Sequence, residues 1–490
     1  MMERDLRAIL AAALEAVDPG AAVRRFLRVE GDAIVVGERR IASRRVVVLA
    51  VGKAATPMAL AAHEILGERI DGGLVVTKKG YETSPLSCGQ GERAGPSDPR
   101  LGSEGPVSHG AGVRGDEIGV FDTIVAGHPV PNTGSLEAAR RVAEVAASLD
   151  EGDLLLALLS GGASALLADP AGDITLADLS TLSQDLLRSG AAIGEMNAVR
   201  KHLSTLKGGG LTRLAAPAAV AALLLSDVVG DDPSTIGSGP TVPDPTTLAG
   251  VAAVLRRYAI APPARVARYL DSAPETLKLG DVVFDRVTNT VIGSGRLSAE
   301  AAAIKARELG YTPLILSTLI AGGAREAAGL HAAIVREALQ TGHPLPPPCA
   351  LISGGETTVV VRGVGLGGPN QEFALALAVE LDGVSGWAAL AVDTDGSDGP
   401  TDAAGGLVTG ATAAAIRAAG ADPVAALDAN DAYPALRAGG ASLVTGPTGT
   451  NVNDLRVILI EACSSRGAAL TPNPWLTGPS AAADGPAHSP

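Results

Sequence analysis

Two glycine-containing turns carry the residue types best suited to bind an anion. Gly52-Lys53 follows the apolar run 46–51, and Ser160-Gly161-Gly162 follows the apolar run 154–159. A helical pattern begins after each turn, and the second helix includes Ser164. Glycine lets a backbone approach a ligand closely, and the free N–H groups at a helix start attract anions. We expect a lysine charge and a backbone cradle for a phosphate-like group, although ordinary βα turns and a solvated lysine have the same local pattern.

The same tripeptide recurs later, at Ser353-Gly354-Gly355, followed by Glu356. It also follows an apolar run, so we expect a second turn of the same kind. Two such turns in one chain predict a cleft between two α/β units.

Basic residues are concentrated in one predicted helix of an otherwise acidic chain. Arg200, Ser204 and Lys207 are spaced i, i+4, i+7, which places them on one helical face. Such a face suits a multiply charged anion. A solvated cationic surface would have the same spacing.

Aspartates follow strand-like runs in two loops. Asp227 and Asp231 follow the run 219–225, and Asp393 and Asp395 follow the run 387–392. Carboxylates at strand ends can hold Mg²⁺, which takes one or two of them together with phosphate and water oxygens. They also suit general-base chemistry, while Asp/Gly turns remain the structural alternative.

Two further features point to ligand binding less specifically. Gly363, Gly365 and Gly368 fit the G-x-G-x-x-G spacing of dinucleotide-binding loops, and ATP is an alternative ligand for such a loop. His128 lies in a proline-rich turn, where it could contact substrate or serve the structure.

Strands and helices alternate along most of the chain, which predicts parallel sheets covered by helices. We place one α/β domain at 1–245 and a second at 246–464, with the N-terminal helix packed on the second. A long helical region is predicted at 175–213. The Gly/Pro/Ser-rich stretch 84–118 is interpreted as a surface insertion and 465–490 as a disordered tail.

Composition excludes several classes of partner. The chain has 490 residues and a formal net charge of −14, which argues against binding to nucleic acid or to anionic membranes. Its three cysteines show no disulfide or metal-binding pattern, no apolar run is long enough to span a bilayer, and the N-terminus does not resemble a signal peptide. A cytoplasmic location is expected.

These motifs resemble those of a known family, the two-domain glycerate 2-kinases with a C-terminal MOFRL domain, formerly named hydroxypyruvate reductases. The resemblance covers most of residues 5–460, in family order. The matching segments are AVGKAA (50–55), AGHPVPNTGS (126–135), LLSGGASALL (158–167), NAVRKHLSTLKGG (197–209), SDVVGDDPSTIGSGPTVPD (226–244), LISGGETTV (351–359), GGPNQEFALA (367–376), DTDGSDGPTDAAG (393–405) and TNVNDLRVIL (450–459).

The resemblance implies a Rossmann-like parallel-sheet domain, a second α/β domain with a mixed sheet, and an active site in the cleft between them. It implies transfer of the γ-phosphate of ATP to the 2-hydroxyl of D-glycerate with Mg²⁺, with Lys53 as the main catalytic lysine. The protein would be a monomer or a homodimer.

Within this framework we assign provisional roles to the candidate residues. Catalysis is assigned to Lys53, Arg200, Lys207, Asp227 and Asp231, and substrate binding to Ser160, Gly161, Gly162, Ser164 and His128. Nucleotide binding is assigned to Ser353, Gly354, Gly355, Glu356, Gly367, Gly368, Asn370, Gln371 and Asn451, and the metal to Asp393 and Asp395.

One departure from the family pattern affects the functional expectation. Many members of the family carry an arginine, thought to assist phosphoryl transfer, where this chain has Pro369. Either another cation such as Arg200 or Lys207 replaces it, or the activity is altered. The alternatives to a kinase are an NAD(P)H-dependent hydroxypyruvate reductase and a non-catalytic metabolite-binding relative.

Overall fold

The computed structural model describes residues 1–81 and 121–461. The predicted insertion at 84–118 and the predicted tail at 465–490 lie outside these residues. The described chain forms two six-stranded sheets and one small three-stranded sheet. None of its helices is long and apolar enough to cross a membrane.

The strands of the described residues are β1 (Leu27–Glu30), β2 (Ala33–Val36), β3 (Arg39–Ala42), β4 (Arg45–Val51), β5 (Ile70–Lys78), β6 (Phe121–Ala126), β7 (Asp153–Leu159), β8 (Ala219–Leu225), β9 (Val287–Gly293), β10 (Thr312–Gly323), β11 (Cys349–Thr358), β12 (Trp387–Asp393), β13 (Gly405–Thr409), β14 (Ser442–Leu443) and β15 (Asp454–Ile460). The α-helices are α1 (Met2–Ala16), α2 (Pro19–Phe26), α3 (Ala55–Leu66), α4 (Thr133–Ala147), α5 (Ala163–Leu166), α6 (Leu176–Arg188), α7 (Ile193–His202), α8 (Gly210–Ala215), α9 (Leu248–Arg257), α10 (Ala264–Leu270), α11 (Gly295–Glu308), α12 (Ala324–Thr341), α13 (Pro369–Glu380), α14 (Thr412–Ala418), α15 (Pro423–Asp428) and α16 (Ala432–Ala438).

The first sheet is wholly parallel, and its central strands β4, β7 and β8 are buried on both faces. In β4, Val46 and Val48 enter a core shared with α2 and α3, while Val47 and Leu49 enter a second core shared with α4 and α8. Side chains of a strand alternate between faces, so a continuous apolar run fills both cores at once. This confirms the predicted Rossmann-like layering.

The order of the first sheet is β6-β5-β4-β7-β8-β9. The chain builds outward from β4 in one direction and from β7 in the other, so the order reverses between these two strands. In doubly wound sheets, ligands bind beyond the carboxyl ends of the strands at this switch point. The loops that begin at Gly52 and Ser160 therefore form the expected ligand crevice.

The second sheet is mixed, as predicted, with the order β10-β11-β15-β12-β13-β14. Strands β10 and β11 are parallel, and every other pair is antiparallel. Helices α1 and α11 share a core with one face, and α12 and α13 share a core with the other. The N-terminal helix α1 thus packs on the second sheet.

One predicted boundary differs from the structure. Strand β9 pairs in parallel with β8, so the first sheet continues beyond the boundary predicted at 245. The predicted boundary places β9 in the second unit, because the sequence alone does not show which sheet this strand joins. The long helical region predicted at 175–213 consists of three helices, α6, α7 and α8, separated by segments in which Gly190, Gly208 and Gly209 adopt positive φ.

Candidate active site

The two turns at the switch point are fastened to each other. The Ser160 N–H donates to the Val51 carbonyl at 2.9 Å, and the Lys53 N–H donates to the Gly161 carbonyl at 2.9 Å. The Ser160 hydroxyl is fully buried and accepts the Ala54 N–H at 3.0 Å. Ser160 therefore shapes the crevice. Its side chain is not available to a substrate, contrary to the substrate-binding role predicted for it.

Gly52 shows how closely the two turns approach. Its φ is 129°, and a Cβ atom added there would lie 2.1 Å from the Ser160 Oγ atom. Only glycine fits this position.

The cradle predicted at Gly161 and Gly162 is open to a ligand. Neither N–H donates to an acceptor among the described residues. A Cβ on Gly161 would lie 2.1 Å from Asp227 Oδ2, and one on Gly162 would lie 3.0 Å from the His128 ring. The predicted residues Asp227 and His128 thus flank the two free N–H groups.

The side chain of Lys53 reaches across to the second unit. Its Nζ atom donates to Asp395 Oδ2 at 3.1 Å, and the two side chains are 16% and 12% exposed. Burial lowers the pKa of Lys53, but the Asp395 carboxylate outweighs it and the net pKa is raised. The lysine is therefore a charged group at neutral pH, located between the two sheets.

The second unit contributes a buried carboxylate cluster. The Asp395 N–H donates to Asp393 Oδ1 at 3.0 Å, and Asp393 pairs with Asp454 across β12 and β15. Burial, followed by the Asp395 charge, raises the pKa of Asp393 to about 8. Lys53, whose only ion pair among the described residues is with Asp395, does not balance the charge of two adjacent carboxylates.

This donor set fits Mg²⁺ better than a fully protein-bound metal. The described residues contain no group of three or more His, Cys, Asp or Glu side chains that could hold a metal ion. Mg²⁺ is held through one or two carboxylates and completes its shell with water and phosphate oxygens. Asp393 and Asp395 provide such a pair.

The remaining acids and the histidine also have perturbed protonation. Burial raises the pKa of Asp227 against the opposing charge of Lys53. Partial burial raises the pKa of Glu356, and the charges of Asp454 and Asp227 raise it further. Burial and the Lys53 charge lower the pKa of His128 to about 4, which leaves a neutral imidazole at pH 7.

Two other predicted residues of the first unit have different surroundings. Asp231 adopts φ 55° in a tight turn, and its side chain makes no hydrogen bond or ion pair with the described residues. The Ser164 hydroxyl lies 2.9 Å from that of Ser238 and joins the Gly162 loop to the loop after β8.

The predicted basic face does not exist, because α7 ends at His202 and Lys207 lies beyond it. Lys207 is buried and donates to Asp169 Oδ1 at 2.9 Å and to the Leu167 carbonyl at 2.6 Å. This internal ion pair makes a catalytic role for Lys207 wrong on structural grounds.

Arg200 has a different environment. It is half-buried, and its only side-chain partner among the described residues is Asn197, at 3.5 Å. Burial lowers the pKa of Arg200, with no carboxylate to oppose the shift. Of the two cations proposed as substitutes, Arg200 is the one free to meet an anion.

The second Ser-Gly-Gly segment is not a turn. Ser353, Gly354 and Gly355 continue β11, which is paired with β10 on one side and with β15 on the other. The buried Ser353 hydroxyl lies 2.9 Å from His331 Nε2. A Cβ on Gly355 would lie 2.1 Å from the Ile320 carbonyl. A nucleotide cradle at Ser353–Gly355 was therefore a wrong prediction, because the glycines accommodate a neighbouring strand.

The predicted nucleotide ligands at the start of α13 are bound to protein groups. Gly368 caps the helix, Pro369 is its first residue, and the Asn370 and Gln371 N–H groups donate to the Asp398 carboxylate at 3.1 and 2.8 Å. The Asn370 side chain donates to Asp454 at 2.6 Å. These residues anchor the loop that carries Asp393 and Asp395, and they do so from buried positions.

Two more predicted nucleotide ligands also pack within the protein. A Cβ on Gly367 would lie 3.3 Å from Ala432, and the Asn451 side chain accepts the Asn453 N–H of its own loop at 3.0 Å. The glycine fingerprint at 363–368 lacks its structural context as well. Strands β11 and β12 are separated by the antiparallel β15, so the fingerprint lies outside a βαβ unit.

Asp454 and Asp398 contribute to the loop that carries Asp393 and Asp395, although neither was predicted as a site residue. Asp454 opens the apolar run of β15 and binds the fully buried Arg456. An acid and an arginine two residues apart in an apolar strand was the available signal, since buried charges are normally paired.

The fold and the site define a two-domain α/β protein whose interdomain cleft joins a lysine, free backbone N–H groups and a carboxylate cluster. Comparisons with known proteins identify the family. Residues 5–271 match a domain of unknown function, DUF4147, and residues 349–454 match the MOFRL family.

The D-glycerate 2-kinase of Thermotoga maritima is 41% identical over 92% of this chain and 97% of its own. A relative from Agrobacterium vitis, which carries a provisional name, hydroxypyruvate reductase, is 42% identical over 93% of this chain and 94% of its own. The crystal structure of Thermotoga maritima glycerate kinase superposes with a TM-score of 0.77 at 39% identity, covering 94% of this chain and 99% of that one. The chain belongs to the glycerate 2-kinase family, which confirms the resemblance found in its motifs.

Proposed function

We propose that this protein is an ATP-dependent glycerate 2-kinase that transfers the γ-phosphate of ATP to the 2-hydroxyl of D-glycerate. The observation that carries the proposal is the contact between Lys53 and Asp395 at the switch point of the first sheet. It joins a cation from one domain to a carboxylate from the other, where a phosphoryl group must be held between two substrates.

Phosphoryl transfer depends on in-line positioning and on positive charge around the transferring group. Lys53 supplies that charge, and the free N–H groups of Gly161 and Gly162 orient the phosphoryl oxygens or the glycerate carboxylate. Asp393 and Asp395 would hold Mg²⁺, which neutralises phosphate charge when bound. The family membership and the donor set support both ATP and Mg²⁺.

Asp227 is proposed to orient the glycerate hydroxyl and accept its proton. Its carboxylate lies against Gly161, and burial raises its pKa, which improves a carboxylate as a base. Arg200 is proposed to bind the substrate carboxylate, since a half-buried guanidinium with no acidic partner suits such an anion. It would supply a positive charge in a chain with Pro369 at the start of α13.

One coupled experiment separates the kinase from the reductase. Protein, ATP, Mg²⁺ and D-glycerate should release ADP only when glycerate is present, and NMR should identify 2-phosphoglycerate as the product. A protein that instead consumes NADH with hydroxypyruvate, and releases no ADP, contradicts the proposal. The glycine fingerprint at 363–368 lies outside a βαβ unit, which argues against a bound dinucleotide and so favours the kinase outcome.

A further inference from the structure

The loop between β11 and α13 exposes an unusual amount of apolar surface. Val361 is 77% exposed, Val364 is fully exposed, and Val360 and Leu366 are also exposed. Four large aliphatic side chains within seven residues of one loop need a reason, because contiguous exposed apolar surface usually marks a binding site.

Hydrogen bonds from the 430–431 segment hold the backbone of this loop. Asn430 Oδ1 accepts the N–H groups of Arg362 and Gly363 at 2.6 and 2.9 Å, and its amide donates to the Val360 carbonyl at 3.2 Å. The Leu366 N–H donates to Asp431 at 2.9 Å. The backbone is thereby held in one conformation, and the side-chain amide of Asn430 has no free group to offer a ligand.

The loop lies at the same edge of the second sheet as the carboxylate cluster. Strands β11 and β12 both run antiparallel to β15, so the loops that follow them leave the sheet at one edge. Gly368 packs against Asp398, and Gly367 packs against Gly399. Asp395 is three residues from Asp398, which sets a limit of roughly 10 Å between them.

A ligand that spans both features must have a multiply charged end and an apolar end. The charged end would meet Lys53 and the metal carboxylates, and the apolar end would lie on the valines. A nucleoside triphosphate has this chemistry, with phosphates at one end and a flat, weakly hydrated base at the other.

We propose that Val360, Val361, Val364 and Leu366 form the platform for the base of the nucleotide donor. This rests on the proposed kinase function. Because its four side chains are aliphatic and carry no hydrogen-bonding group, the platform recognises the shape of a purine and not its hydrogen-bonding edge. ATP and GTP should therefore differ in affinity by less than about tenfold, which is about 1.4 kcal/mol.

The test compares ligands with and without a base. The double variant Val361→Ser, Val364→Ser and the control Val282→Ser, which alters a valine 82% exposed on the first domain, are titrated with Mg²⁺ and either AMP-PNP or tripolyphosphate. We expect the double variant to bind AMP-PNP about tenfold or more weakly, because burial of apolar side chains is lost. Tripolyphosphate binding should be unchanged, and the control should match the wild type.

Equal AMP-PNP affinity in the double variant and the wild type would overturn the platform, as would a parallel loss of tripolyphosphate affinity. A wild-type dimer that the double variant converts to monomers, with AMP-PNP affinity intact, would overturn it in favour of a subunit interface. Because binding is measured without turnover, absence of kinase activity would refute the proposed function separately.

Discussion

Lys53 is held in place by Asp395 of the second domain. Its ion pair with Asp395 is mostly buried, and the pairing raises the pKa of the lysine. Under the proposed function, a phosphate group would compete with Asp395 for Lys53, and a cation would compete with Lys53 for Asp395. The proposal therefore predicts that a bound nucleotide breaks this contact between the domains.

The raised pKa of Asp393 should make the stability of the folded protein depend on pH. Its pKa is about 8 in the folded protein against 3.8 for an unperturbed aspartate, so the folded state binds the extra proton between these pH values. The free energy of unfolding therefore decreases as pH rises through that window, because the folded state must give up this proton. Asparagine at this position has no such loss.

We expect Asp393→Asn to be more stable than the wild type at pH 8 in metal-free buffer, by about 2 kcal/mol or more, since one pKa unit is worth about 1.4 kcal/mol. The difference should shrink toward pH 4. Urea unfolding at several pH values measures it, and a difference independent of pH would contradict the assignment.

The two basic candidates should respond to substitution in opposite ways. Arg200→Ala should raise KM for D-glycerate about tenfold or more with little change in Tm, because the side chain has no internal ion pair. Lys207→Ala leaves Asp169 buried without its cation and should cost about 3–5 kcal/mol of stability. Steady-state kinetics and thermal unfolding distinguish them, and a stable but inactive Lys207 variant would refute this division.

At the scale of elements, the site depends on the approach of the β7 loop to its neighbours. Gly161→Ala would place a methyl group 2.1 Å from the Asp227 carboxylate. We expect kcat to fall by about tenfold or more, because misplacing reacting groups by about 1 Å can cost a hundredfold.

Gly72→Ala in β5 is the matched control, since an added Cβ there meets nothing within 4 Å. Kinetics of the two purified variants provide the comparison. Equal activity would show that Asp227 and the Gly161 cradle do not act together.

The two Ser-Gly-Gly segments show how far local sequence determines an element. The first was predicted correctly as a turn, because β7 ends there and a helix follows. The second is identical in its three residues but lies between two partner strands, and strand pairing over long sequence distance overrides local turn propensity. Likewise, Lys207 had the spacing of a ligand-binding residue, and only the fold brings Asp169 to it.

At the scale of the molecule, the chain crosses between the domains twice at neighbouring points. Helix α1 packs on the second sheet, and the chain returns to it at α11 after building the first sheet. The Thr450 hydroxyl donates to the Val17 carbonyl at 2.8 Å beside one crossing, and Gly295 lies against the Val452 carbonyl at the other. Both crossings therefore lie against the same short loop of the second domain, at Thr450 and Val452.

The sequence could predict the two sheets and the candidate lysine, because buried strands and their following turns are local patterns. It could not predict that Lys53 meets Asp395, which is 342 residues away. That contact depends on how the two domains pack, and no periodicity encodes it.

The turnover of Lys53→Met tests the central claim most directly. The control is Lys305→Met, which removes a lysine paired with Glu308 on the surface of α11. Formation of 2-phosphoglycerate from ATP and D-glycerate is followed by ³¹P NMR. We predict that kcat of Lys53→Met falls by about a hundredfold or more, which is the loss typical of removing one contact to developing charge. The kcat of Lys305→Met should equal that of the wild type, and both variants should be folded. A folded Lys53→Met variant with near wild-type kcat would contradict the account.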